Sequence, residues 1–189
     1  MSIKESSAES DRLRKESEAR FEREMAASRA EFDRRSADID RQIKEVNESV
    51  NGISKSNGML AEEFFFNAID MGDKKIFGEQ FDECYSYVKR HNKSNQLRTE
   101  QDIILFNGKS IALVEVKYRA RKEDIQKIID RLPKFRTLYS EYKEHRTYLG
   151  IAAMSFDKGV EKECTDKGVA IVKQVGDTVV INDDHLNTF

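Results

Sequence analysis

A chain of 189 residues, 36% charged and 38% hydrophobic, suits one compact domain plus an added element rather than two full domains. A formal net charge of −2 excludes a global field that gathers polyanions, so any nucleic-acid binding must come from a local basic patch. Two cysteines without CxxC spacing argue against a disulfide framework or a zinc site, and no apolar run nears the roughly 20 residues that span a bilayer. The amino terminus lacks the basic-then-apolar pattern of a secretory leader, so a cytoplasmic protein with no membrane partner is expected.

Residues 1–50 hold 11 Lys/Arg and 13 Asp/Glu with no Gly, Pro or Cys, and the remainder carries 22 of each charge. This first stretch reads as one charged helix. Met25, Phe32, Ile39, Val46 and Ile53 recur every seven residues, and Ile43 and Val50 follow Ile39 and Val46 by four, an a/d seam over the last two heptads. Further upstream Glu22, Arg29 and Ser36 fill the seam positions and weaken it. A charged helix with one narrow apolar stripe needs a partner, most simply a second copy in a coiled-coil homodimer. A helix folded back on its own domain and a solvated charged tail are the competing readings. Asn51, Gly52 and the Ser54-Lys55-Ser56-Asn57-Gly58 stretch are expected to break the helix, giving a coiled-coil helix over 1–53 and a globular domain over 54–189.

In that domain a second helix is expected over 59–71, ending at Gly72, followed by strands at 80–89, 98–106 and 110–118. Asn107-Gly108 supplies the hairpin turn between the last two strands. A helical stretch follows over 122–145, which Pro133 should kink or split. Then come a strand at 146–154, a short helix at 157–167 ending at Gly168, and a closing hairpin of 169–175 and 178–181. The order α-β-β-β-α-β-α-β-β predicts an α/β domain with a mixed central sheet.

The chemistry concentrates in two adjacent strands. Side chains alternate along a strand, so Glu115 and Lys117 share one face while Val114 and Val116 take the other. A carboxylate and an amine side by side in an Ile/Leu/Val strand are costly unless they are paired or used. Counting back from Asn107-Gly108, Asp102 reaches the neighbourhood of Val114 and Glu115. Two carboxylates and a lysine then converge, a donor set that suits Mg²⁺ or Mn²⁺.

These residues resemble the PD-(D/E)xK nuclease superfamily, which includes restriction endonucleases and Holliday-junction resolvases. Asp102 stands for the acidic residue opening one strand, and Glu115-Val116-Lys117 for the (D/E)-x-K of the next. Gln101 occupies the place of the motif's proline. The resemblance covers about residues 58–153, leaving the amino-terminal helix and the last hairpin outside it. It implies a restriction-endonuclease-like α-β-β-β-α-β core, Mg²⁺ or Mn²⁺ as cofactor, and hydrolysis of DNA phosphodiesters, with Lys117, Glu115 and Asp102 catalytic and Asp102 and Glu115 holding the metal.

Many members add a helix glutamate in a G-x-x-x-E pattern, matched here by Gly58 and Glu62. Helical spacing places Glu62 on the face of Phe65, Phe66 and Ile69, and Glu63 on the polar sector with Asn67 and Asp70. Glu62 is therefore favoured over Glu63 as a catalytic and metal-binding residue. Lys89, Arg90 and Lys93 in a polar loop, and Arg119, Arg121 and Lys122 after the catalytic strand, are candidates for nucleic-acid contact. Lys127 and Arg131 continue that basic run, and Gln126 offers a polar position on the same helix. The function expected is a metal-dependent DNA endonuclease acting as a coiled-coil dimer. The alternatives are an inactive nuclease-fold module that binds DNA or a protein, and a coiled-coil scaffold.

Overall fold

A computed structural model describes residues 3–70, 75–94 and 96–189, with side chains from residue 12 onward. The chain divides into two compact units, Met1–Ile53 and Ser54–Phe189. Ten elements follow one another: α1 (Ile3–Asp70), β1 (Glu83–Asn92), β2 (Leu97–Phe106), β3 (Ser110–Ala120), α2 (Lys122–Leu138), a 3-10 turn (Ser140–Tyr142), β4 (Arg146–Phe156), α3 (Val160–Lys167), β5 (Ala170–Val175) and β6 (Thr178–Asn182). No helix among the described residues is long and apolar enough to cross a membrane.

The break expected between Asn51 and Gly58 is absent, because α1 is continuous from Ile3 to Asp70. Glycine in a helix costs only about 0.5–1 kcal/mol relative to alanine, and serine and asparagine cost less, so isolated weak formers interrupt nothing when good formers flank them. A Cβ added at Gly52 or Gly58 would meet open space, so neither glycine is demanded by a close contact. The expected end of this helix at Gly72 lies outside the described residues.

The first unit is held by its own surface. Arg12–Glu16, Arg14–Glu18, Arg20–Glu24 and Arg35–Glu31 pair one turn apart, and Arg41 joins Asp38. Each such pair contributes only about 0.2–0.5 kcal/mol. Met25, Phe32, Ile39, Ile43, Val46, Val50 and Ile53 are all exposed, so the seam is uncovered in the single chain.

The second unit is a mixed α/β fold around a six-stranded sheet in the order β1-β2-β3-β4-β5-β6. β1, β2 and β3 form an antiparallel meander, β3, β4 and β5 run parallel, and β6 returns antiparallel. The helices α2 and α3 are the crossovers that parallel neighbours require. On one face of the sheet Ala61, Phe65 and Ile69 of α1 pack against Ile103, Leu105, Val114, Val116 and Val172. On the other, Ile125, Ile128, Leu132 and Phe135 of α2 and Cys164 of α3 cover Ile104, Ile111, Leu113, Leu149 and Ile151. β3 and β4 are covered on both sides, which is why their sequences are apolar without strict alternation.

One turn expectation and one helix expectation change in detail. Asn107 N–H donates to the Ser110 carbonyl at 3.0 Å, closing a turn whose inner residues are Gly108 and Lys109. Asn107 acts through its side chain, whose Oδ1 accepts from the N–H groups of Lys109 and Ser110. Pro133 lies inside α2 without splitting it. It sits on the solvent side, while Leu132 and Phe135 anchor the inner side. α3 ends where glycine was expected to end it: Gly168 is the C-cap, at φ 69°. Cys84 and Cys164 are both free thiols, and burial pushes each up to about 12.

Candidate functional site

The β2–β3 register pairs Phe106 with Ile111, Leu105 with Ala112 and Ile103 with Val114. The next step outward puts Asp102 beside Glu115. There the ladder gives way to a side-chain bond: Asp102 Oδ2 accepts from the Val116 N–H at 2.8 Å. Lys117 Nζ lies 2.6 Å from Glu115 Oε1 and 4.0 Å from Asp102 Oδ2, and donates to the Val116 carbonyl at 3.0 Å. The three side chains read from the motif thus converge at one place on the sheet.

Glu115 is only 3% exposed and makes two ion pairs. Its Oε1 accepts from Lys117, and its Oε2 accepts from Arg131 of α2. Arg131 braces the central carboxylate from α2. Its neighbours Ile128 and Leu132 are buried, so Arg131 borders the inner face of the amphipathic helix. That helical spacing was the available signal. Gln126 points elsewhere, donating to Asp130 at 2.8 Å and accepting from Lys167 at 2.9 Å.

Asp102 has the weaker compensation. Burial, and next the Glu115 carboxylate, push it from 3.8 to about 6, while the Val116 N–H and Lys117 pull it down and Glu62 adds to the rise. Glu62 is half-buried and Glu63 exposed. Glu62 shares a cavity lining with Tyr87 of β1, whose hydroxyl is pushed up to about 12, first by Glu62 and then by burial. Ser86 pairs with Ile103 and Val88 with Gln101, so Tyr87 stands opposite Asp102 where the β1–β2 ladder is interrupted. Nothing in the sequence marked Tyr87.

A raised carboxylate pKa has a stability consequence. The folded protein binds more protons than the unfolded chain between about pH 4 and pH 6, so Asp102 makes stability fall as pH rises through that window. Asp102→Asn, neutral at every pH, should gain on the wild type by an amount on the order of 1–3 kcal/mol between pH 4 and pH 8. Urea unfolding in a chelator across this range measures it. A difference that stays flat with pH would show that Asp102 is not the group strained by burial.

The six basic candidates are exposed, and four already have carboxylate partners. Lys89 pairs with Glu100 at 2.9 Å, Arg119 with Asp157, and Lys122 with Glu163 at 3.6 Å. Arg90 pairs with Glu141 and lies over the Tyr139 ring, 4.5 Å from its centre. Lys93 and Arg121 have no ion pair among the described residues. Lys89 and Lys93 line an open basic groove with His91, Gln96 and Arg98 at the β1–β2 hairpin.

Among the described residues no group of three His, Cys, Asp or Glu is set to hold a metal ion. The donors beside one another are Asp102, Glu115 and the Val116 carbonyl. Structural zinc is usually held by Cys and His ligands, and none stands beside these oxygens. Mg²⁺ and Mn²⁺ take one or two carboxylates and keep several waters, and this oxygen set fits them. No protein-family model, curated protein or solved structure matches this chain.

Proposed function

We propose that this chain is a divalent-metal-dependent nuclease that hydrolyses DNA phosphodiester bonds. The observation that carries the reading is the convergence of Asp102, Glu115 and Lys117 from adjacent strands, with Lys117 Nζ between the two carboxylates. The element order α1-β1-β2-β3-α2-β4 supports the finer reading of a restriction-endonuclease-like core. Asp102 and Glu115 would hold Mg²⁺ or Mn²⁺, with Glu62 contributing from α1. When bound, the ion supplies charge neutralisation at the phosphate and lowers the pKa of water.

The side chains define the remaining roles. Lys117 Nζ, held by Glu115 and the Val116 carbonyl, is placed to orient an attacking water and to donate to a phosphate oxygen as charge develops there. Arg131 pairs with Glu115 and fixes its orientation. Lys93, Arg121 and the paired cations around them are the candidates for backbone phosphates, contacts that position a strand without reading its sequence.

One observation favours a second reading, a nuclease-fold module that binds DNA or protein without cutting: both oxygens of Glu115 are already taken by cations. Incubating plasmid and branched DNA with Mg²⁺ or Mn²⁺ separates the two. Cleavage that appears with metal and disappears in a chelator, in Asp102→Ala and in Lys117→Ala is expected. If neither metal supports such cleavage, the enzymatic reading fails and DNA retention tests the module.

The exposed seam supports a homodimer through α1, so that two sites act on two strands. Ile43→Lys combined with Val50→Lys places charge at two seam positions exposed in the single chain. Light scattering should then give the mass of one chain where the wild type gives two. A wild type that is already monomeric at micromolar concentration removes the dimer from the proposal.

A further inference from the structure

The β1–β2 hairpin is anchored on one side and open on the other. Val88 of β1 and Leu97 of β2 pack against the α2-side cluster, and Arg90 lies over the Tyr139 ring and pairs with Glu141. Strand alternation therefore turns Lys89, His91 and Lys93 to the outer face. Arg98 stands directly across from His91, and Glu100 directly across from Lys89. Lys89, His91, Lys93, Gln96 and Arg98 line an open groove of about 610 Å³, far more than a single anion fills.

A change of parity within β1 produces this face. Tyr85 packs edge-on against Phe106 on the α2 side, so regular alternation would send Lys89, His91 and Lys93 to that side as well. Instead Cys84 belongs to the α1-side cluster and Val88, an even number of residues later, to the α2-side cluster. The switch falls at Tyr87, whose φ of 54° lies in the left-handed region that a bulky side chain rarely adopts. Beyond it, three basic side chains of β1 face outward and Arg90 turns inward.

The outer face sets Lys89, Lys93 and Arg98 against one carboxylate, Glu100, which lies 2.9 Å from Lys89 and 3.8 Å from Arg98. The Lys89 and Arg98 side chains are still 53% and 65% exposed. His91 and Lys93 have no side-chain partner among the described residues, and an imidazole keeps an N–H donor in either protonation state. Successive side chains on one face of a strand stand about 6.7 Å apart, so these donors form a row and do not converge on a point. A row of donors fits a polyanion whose charges repeat along a line, and offers a compact anion only one or two contacts. Along β2, Arg98 and Asp102 are about 13 Å apart at the usual strand rise, so one DNA strand is long enough to reach both. We infer that Lys89, His91, Lys93 and Arg98 form a docking track for the phosphate backbone of DNA, which holds the substrate without metal and takes no part in the chemistry. The inference rests on the nuclease reading proposed above for the identity of the polyanion, and it assigns His91 and Arg98, which that reading leaves unused.

The test is binding of the full chain to fluorescein-labelled duplex and single-stranded oligonucleotides of unrelated sequence, by fluorescence anisotropy in a chelator over a series of salt concentrations. Each neutralised phosphate contributes about 0.9 to the slope of log affinity against log salt for duplex and about 0.7 for a single strand. Lys93→Ala breaks no ion pair among the described residues and should lower the duplex slope by about 1; Lys93→Ala with Arg98→Ala should lower it by about 2. The loss should be the same for every sequence, because backbone contacts carry no sequence information. Thermal midpoints equal to the wild type show that both variants fold. Wild-type affinity and slope in the double variant overturn the track while leaving DNA binding elsewhere on the chain. A loss confined to one sequence, or displacement of the DNA by polyglutamate at equal charge, overturns it as well. A wild type that binds DNA in chelator through these residues but never cleaves it with Mg²⁺ or Mn²⁺ sinks the catalytic reading and leaves the track standing.

Discussion

Replacing Lys117 with alanine is expected to lower metal-dependent DNA cleavage by about 10²–10⁴-fold, the range found when a positioned proton-transfer or charge-stabilising group is removed. The lysine is 31% exposed, so its amine reaches solvent and substrate, yet it is bonded to Glu115 and the Val116 carbonyl and does not roam. Alanine deletes the amine and leaves Glu115 its second cation, Arg131, so the carboxylate stays paired. The cost to folding should therefore be modest, about 1–3 kcal/mol. Lys117→Arg keeps the charge but substitutes a planar fork for a point charge, and should recover little of the rate. Single-turnover cleavage of plasmid DNA, with circular dichroism confirming the fold, measures the effect. Wild-type rates in Lys117→Ala would move the chemistry away from this pocket.

Phe65→Ala is expected to destabilise the second unit by about 3–5 kcal/mol, the usual range for an aromatic deleted from a packed core. Phe65 is fully buried and meets the Phe64 ring edge-on at 5.2 Å between centres. Within the stretch of α1 that covers the sheet, Ala61, Phe65 and Ile69 are the buried positions, and Phe65 is the largest. A loss of this size is a large share of the roughly 5–15 kcal/mol that stabilises a domain. Because Glu62 lies one turn before Phe65, the same change should also weaken Mn²⁺ binding. Urea unfolding followed by the far-ultraviolet signal gives the energy. Phe32→Ala, at an exposed position of the first unit, is the control and should leave that transition in place.

Much of the second unit was legible from local chemistry. The alternation of Val114 and Val116 against Glu115 and Lys117 assigned them to opposite layers, and Val114 and Val116 do lie in the α1-side cluster. The Asn107-Gly108 pair located the hairpin, but its inner residues are Gly108 and Lys109, and that one-residue shift of the turn is what brings Asp102 opposite Glu115 rather than Leu113. Gly168 marked the end of α3 for a reason confined to its own φ. The sequence misled where a local signal met a nonlocal outcome. Gly52 and Gly58 weaken a helix, but the long run of good formers on either side carries it through.

What the sequence determined alone was therefore the order and type of most elements, the hairpin that joins Asp102 to Glu115, and the apolar stripe of α1. These depend on periodicity and turn chemistry within a few residues. Only the tertiary structure decided which group each site residue meets: Arg131 on Glu115, and a carboxylate on most of the basic candidates. Long polar side chains take whichever partner the packed layers bring within reach, and no spacing rule encodes that choice. The left-handed turn of Tyr87 is the sharpest case, since tyrosine has no local preference for it.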